Sequence, residues 1–326
     1  MRTLPNHLAI PFATLLMITG SAAQACAQAA PPDKRPTAPV TTYVDLPIEQ
    51  LKKQIPTLAG LQSDPSQEDL PYILQSVAIA IGETVPQLPD LVSREEVYRS
   101  QRQWGPEAPR NMIGMAAAGG VQAGIVLREQ GVRGQEYHYL ILCHHTSTGI
   151  SVEEGRTDIQ GHALDASRAE TNPLGSGFAY QWLLFSGPNQ PEFRFHYLGQ
   201  QQIEGRKTDV VAFAQIPGNV RIPAVFQSRG KQASYYYQGI LWIDQENHQI
   251  VLLRSDLQAP LRNMQLDTLT TELHFRSVKL RDYDSELWLP SYVHMSIFQG
   301  KFDIEEEHAY SDYHLYHSTA TIVPVK

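Results

Sequence analysis

From Glu192 to Tyr316 apolar and polar residues alternate in short runs separated by turn residues, the pattern of antiparallel strands with one face buried and one face wet. The runs cover residues 193–197, 208–213, 235–244, 249–255, 268–280, 287–298 and 302–316. Upstream, residues 135–144 and 150–160 read as a further pair of strands. Residues 91–102 read as another strand, with Val92, Arg94, Glu96, Tyr98 and Ser100 along one side. Two helical stripes precede them. Ile48, Leu51, Ile55 and Leu58 fall at helical spacing, with Pro56 ending or bending that helix. Leu70, Ile73, Leu74, Val77, Ile81 and Val85 make the second stripe, which Ser66 and Asp69 open in the manner of a capping box and Gly82 and Pro86 close. Residues 112–132 read as a small-residue loop or short irregular helix, and residues 175–185 as a short aromatic helix plugging one end of the sheet.

Helices first and a long meander afterwards, without alternating strand–helix units, define an α+β fold. A meander of this length curls to avoid long exposed edges. The expected architecture is therefore a strongly curved antiparallel sheet, a half-barrel, wrapped around the N-terminal helices.

Composition adds a compartment. Residues 1–29 read as a signal peptide: Arg2, then an apolar stretch from Leu8 to Ala23 broken by Pro11 and Gly20, too short for a permanent membrane span. Cleavage after Ala25 and after Ala29 both fit. Cys26 after Ala25 also fits a lipid-anchored signal, although Ala23 stands where such signals usually carry Leu. Residues 30–46 are a Pro-rich tether, and residues 47–326 a single α+β domain. The chain is thus expected to be exported, to the periplasm. Cys143 lies in an apolar run, and two cysteines build no disulfide framework or cysteine zinc site. The formal charge of −8 comes without a basic stripe, so no nucleic-acid partner is expected. The acidic run from Glu305 to Glu307 reads as a solvated strand face.

Candidate chemistry is sparse. His144 and His145 are neighbours on a strand and point to opposite faces. His308, Asp312 and His314 share a face under simple alternation and are the one metal candidate, short of a further ligand. Gly175, Ser176 and Gly177 lack the spacing of a nucleophile elbow, and the neighbouring acids Glu153 and Glu154 alternate faces. No cofactor, metal or catalytic set is implied, and the expectation is a protein that is not an enzyme. Aromatic stripes are more suggestive. Phe193, Phe195 and Tyr197 share a strand face, as do Val211 with Phe213 and Tyr236 with Trp242, and Phe275 continues the pattern. Such stripes are either ordinary core or the wall of an apolar cavity.

Three stretches carry a resemblance: residues 197–211, with Gly205 and Arg206 at a hairpin turn; Gly239-Ile240-Leu241-Trp242-Ile243-Asp244 followed by Gln249-Ile250-Val251; and Leu287-Trp288-Leu289-Pro290. They resemble the LolA/LolB-like lipoprotein-carrier fold, and the chain from about Pro47 onward also resembles secreted bacterial proteins of unassigned function. The resemblance implies a half-barrel open to a hydrophobic ligand, and so a carrier or sensor for a lipid or lipoprotein in the bacterial envelope. It transfers no individual functional residue, and the insertions around residues 104–134 and 216–233 depart from a compact carrier. Two other functions fit the same residues: an envelope protein-interaction module using the sheet edge or the Glu305–Glu307 strand, and a hydrolase with a histidine and carboxylate site.

Overall fold

The computed structural model describes residues 41–104, 126–146, 149–164, 173–175, 177–179, 181–221, 223–228 and 231–316. The expected signal peptide, Cys26, Ser176, most of the tether and residues 112–125 lie outside them. Packed chain begins ahead of Pro47, because Thr42 and Tyr43 are already buried.

The first stripe forms α1 (Ile48–Gln54) and, after Pro56 interrupts it, a 3-10 turn over Pro56–Gly60. The second forms α2 (Leu70–Thr84), which buries Ile73, Val77 and Ile81. The capping box does not form. Asp69 is the N-cap and makes no side-chain cap bond, while the Ser66 hydroxyl accepts from the Glu68 amide instead. Pro71 in the first turn opens this helix, at a position where a missing amide costs nothing.

Among the described residues thirteen strands run in chain order: β1 (Gln62–Ser63), β2 (Leu91–Trp104), β3 (Val126–Thr146), β4 (Gly149–Asp158), β5 (Phe193–Ile203), β6 (Arg206–Gln215), β7 (Ala224–Ser228), β8 (Lys231–Tyr235), β9 (Tyr237–Asp244), β10 (Ile250–Leu257), β11 (Leu266–Lys279), β12 (Glu286–Gln299) and β13 (Phe302–Leu315). Eleven of them make one sheet in the order β1-β5-β6-β9-β10-β11-β12-β13-β2-β3-β4, and β7 with β8 forms a separate hairpin. Every pairing in the large sheet is antiparallel. The sheet is open, with β1 and β4 at its two ends. The α+β class follows, and residues 126–132, expected in a loop or short irregular helix, belong to β3.

The two helical segments do not share a face. Trp242 and Phe213 are on opposite sides of the sheet: Val211 pairs with Leu241 and Val210 with Trp242, so Phe213 lies on the Leu241 side. The Trp242 indole donates to Gln201 Oε1, and Gln201 Nε2 donates to Thr57 O, which seats residues 41–60 on the Trp242 side. The Tyr43 amide adds a bond to Gln238 Oε1 on that same side. Phe185, in a 3-10 helix over Gln181–Phe185, meets Phe213 edge-on at 4.9 Å on the other side, and this helix packs against α2. A cover on each face explains why Val210, Val211, Ala212 and Phe213 of β6 and Ile240, Leu241, Trp242 and Ile243 of β9 are all fully buried.

Candidate functional site

The aromatic stripes assemble where the alternation puts them, and the structure divides them. Phe193, Phe195, Tyr197, Val211 and Phe213 line one face of β5 and β6, in register as Phe195 with Phe213 and Tyr197 with Val211. Phe275 lies on that same face of β11, by way of the pairs Leu241–Leu253 and Leu253–Leu273. Trp242 faces the other way, under residues 41–60, and Tyr236 sits half-buried just before β9. On the first face Phe185 is the hub of a ring cluster, 5.3 Å from Phe193, 4.9 Å from Phe213 and 6.5 Å from Phe195. Phe213 and Phe193 each reach Tyr237 at 6.2 Å. Of the helix expected over residues 175–185, Gln181–Phe185 forms a 3-10 helix, and its buried Trp182, Leu183 and Phe185 lie against this face of the sheet.

A second cluster, of charges, lies on the same face at β13, β2, β3 and β4. Glu95 of β2 is fully buried, as are Glu306 and His308 of β13. Glu95 accepts from Arg156 at 2.5 Å and 2.8 Å in a two-pronged bond, from His308 Nδ1 at 2.8 Å and from the Tyr310 hydroxyl at 2.7 Å. Glu306 accepts from Arg99 Nε and from the Leu174 amide, both at 2.5 Å, and lies 3.0 Å from His308 Nε2. Burial by itself pushes the Glu95 carboxyl up, but Arg156 and His308 outweigh it and hold the group down to about 2. Burial pushes the His308 imidazole down, and the bonds to Glu306 and Glu95 more than restore it, so its pKa is raised. Neighbouring Glu154 of β4 goes the other way from Glu95. Burial drives it up to about 7, against the Ala179 amide, Arg156 and the Phe178 amide, which favour the charge.

The acidic run is therefore not a uniformly solvated face, because alternation turns Glu306 inward between exposed Glu307 and half-buried Glu305. The run also cannot dock a partner strand along its edge, because β13 is paired on both sides, with β12 and β2. The proposed trio separates as well. A one-residue bulge between Ser311 and His314, with Asp312 in the left-handed region at φ 53°, breaks the alternation. His308 points inward, while Asp312 and His314 are exposed, and His314 Nδ1 contacts the Asp312 carbonyl. Among the described residues no three or more His, Cys, Asp or Glu side chains are grouped to hold a metal ion. Sequence reading missed Glu95, Arg99 and Arg156, because charge on a strand reads as solvent-facing. The available signal was parity: Leu91, Ser93, Glu95 and Val97 share one side of β2, opposite the polar side singled out above, and all four are buried.

A cleft of about 190 Å³ lies elsewhere, between Thr84, Arg206, Gln249, Glu286 and Trp288. Its polar groups satisfy one another: Arg206 bonds Asp244 at 2.6 Å and covers the Trp288 ring at 5.3 Å, and Ser277 bonds Glu286. Among the described residues no helix is long and apolar enough to cross a membrane.

No protein-family model matches the chain. No curated protein matches it. Among solved structures it is similar to an outer membrane lipoprotein-sorting protein domain, so described provisionally, from Vibrio parahaemolyticus, at 14% identity and a TM-score of 0.34 over 76% of this chain and 93% of that one. It is also similar to a DUF1329 family protein from Desulfovibrio piger, at 10% identity and a TM-score of 0.34 over 79% of this chain and 96% of that one. The fold assignment rests on strand order and register rather than on likenesses at that score.

Proposed function

We propose that the chain is an exported, non-enzymatic binding protein, a carrier or sensor for a lipid or acyl-bearing ligand in the bacterial envelope. One observation carries this reading: over Phe193 and Phe213 the aromatic face at β5 and β6 is covered by a short segment, Gln181–Phe185, whose Trp182, Leu183 and Phe185 are buried and which itself packs against α2. A 3-10 helix of this length has poor internal hydrogen bonding, so it yields its place at less cost than a second sheet would. An acyl chain taking that place would lie against Phe193, Phe195, Tyr197, Val211, Phe213 and, further across, Phe275. Burial there returns ~25 cal/mol per Å² of apolar surface removed from water. Trp242 and Tyr236 drop out of the ligand wall on this reading.

Native mass spectrometry of the exported protein, alone and after incubation with a long-chain fatty acid or a phospholipid, tests the proposal. Co-purifying apolar mass or a one-to-one adduct is expected, reduced in Phe213→Ala. No adduct with either ligand rejects it.

The second reading is an envelope protein-interaction module. The filled aromatic face favours it, together with β4, which among the described residues ends the sheet and is bridged on its outer side at Thr157 by Ala163. A protein that takes no apolar ligand but is captured by an envelope partner through β4 would decide for this reading.

A further inference from the structure

Residues 173–175 and 177–179 cross the buried charges as a strap, and the Gln181 side chain ties this strap to the Gln181–Phe185 plug by donating to the Gly177 carbonyl at 3.3 Å. The sheet holds the strap by its backbone. The Leu174 amide donates to Glu306 Oε1 at 2.5 Å. The Phe178 and Ala179 amides donate to Glu154 Oε2 at 2.9 Å and 3.1 Å. Both amides also reach the Tyr139 hydroxyl, which itself bonds Glu154. In the other direction Arg156 Nη1 donates to the Gly175 carbonyl at 2.9 Å. A Cβ added at Gly177 would collide with the Glu154 carboxyl, so the strap backbone lies directly on that group.

These bonds have a polarity. The strap gives the sheet three amide donors and offers one carbonyl acceptor in return. An amide N–H can only donate, so Glu154 Oε2 and Glu306 Oε1 are acceptors here whatever protons the carboxyls carry. The neighbouring cations are already answered by carboxylates. Arg156 gives two prongs to Glu95, Arg99 binds Glu306 through Nε, and His308 sits between Glu95 and Glu306. A molecule in the strap's place therefore meets two carboxyl oxygens in want of donors. Leaving them buried and unpaired costs affinity, and a negatively charged head beside them adds like-charge repulsion.

We infer that the strap marks the head-group end of the apolar site, and that its ligands are acyl chains with an uncharged, hydrogen-bond-donating head, an acyl amide being the simplest, in preference to free fatty acids. The inference rests on the carrier reading, since the chain of such a ligand takes the plug's place over Phe193 and Phe213. Ala179 stands two residues before Gln181, so a displaced plug draws the Phe178 and Ala179 amides off Glu154. The head of the ligand then restores those donors. A fatty acid still binds through its chain, but its carboxylate brings only acceptors.

Titration calorimetry of the full chain with decanamide, methyl decanoate and decanoate tests the preference, at roughly pH 8 where decanoate is ionised. The three share one chain length, and only the amide donates. Decanamide should bind about tenfold or more tightly than either of the others. Glu154 takes two of the three strap amides, and Glu154→Gln supplies a donor of its own there, so in E154Q the three affinities should come within about threefold. Phe213→Ala should weaken all three alike, because it touches the chain and not the head. An ester or carboxylate that binds the unaltered protein as tightly as the amide overturns the head preference and leaves the carrier reading in place. A preference that E154Q leaves intact overturns the placing of the head under the strap. No binding of any of the three ends both readings. The series on the unaltered protein decides even if E154Q does not fold.

Discussion

Glu95 sits at a strand position that burial makes costly for a charge, and four donors surround it there. Arg156 binds it with two prongs, and His308 and Tyr310 complete its shell. The net result is a carboxyl held down to about 2. Its unfolded counterpart takes up a proton near pH 4.5, so below that value acid favours unfolding. The contribution is whole above about pH 4.5 and fades as pH falls toward 2, a loss on the order of 3 kcal/mol. Carbon-13 NMR of the Glu95 carboxyl should titrate near pH 2, and the urea midpoint should fall across the same window; a Glu95 midpoint near 4.5 contradicts the buried pairing. None of this was legible residue by residue. Glu306 stands in a run of three glutamates that each look solvated alone, and its inward turn is matched by Arg99, which β2 delivers, and by His308 two residues along the same strand.

Elements were far more legible than their ends. The two-residue turn at Glu204 and Gly205, both in the left-handed region, closes β5 onto β6 where the sequence puts a hairpin. β12 begins with the expected Leu287–Pro290 run, and the register slips beside Pro290, whose missing amide suits a bulge. Alternation does not announce such slips, which is why the bulge before His314 broke up a trio that simple counting put on one face. β9 carries a sharper constraint. A Cβ at Gly239 would stand 1.8 Å from the Arg254 carbonyl oxygen and against the Phe213 ring, whereas one at Gly155 on β4 meets nothing within 4 Å. Gly239→Ala should therefore destabilise by roughly 3 kcal/mol through overpacking. Gly155→Ala should be neutral or slightly stabilising, within about 1 kcal/mol. Thermal and urea unfolding of the two variants give the comparison, and equal effects would mean that β9 and β10 are not packed as described.

At the scale of the whole molecule the sheet is a partition with a separate cover on each side. Sequence periodicity gave both helical segments an apolar stripe, and a stripe does not say which face of a sheet it will meet. The contacts do: Gln201 accepts from Trp242 and donates to Thr57 on one side, and the Phe185 ring meets Phe213 edge-on on the other. Leu58 and Phe185 are each almost completely buried, so Leu58→Ala should cost roughly 2–5 kcal/mol and Phe185→Ala roughly 3–5 kcal/mol. The informative quantity is their sum. Side chains that share a core couple by about 0.5–3 kcal/mol, while side chains without common neighbours add to within about 0.5 kcal/mol. Opposite faces predict the second outcome, measured as the interaction term of a double-mutant cycle in urea. A strong coupling would put both segments in one core and return the helices to a shared face. Additivity would mean that the plug can be disturbed without loosening the outer cover, which is what a plug that gives way to a ligand requires.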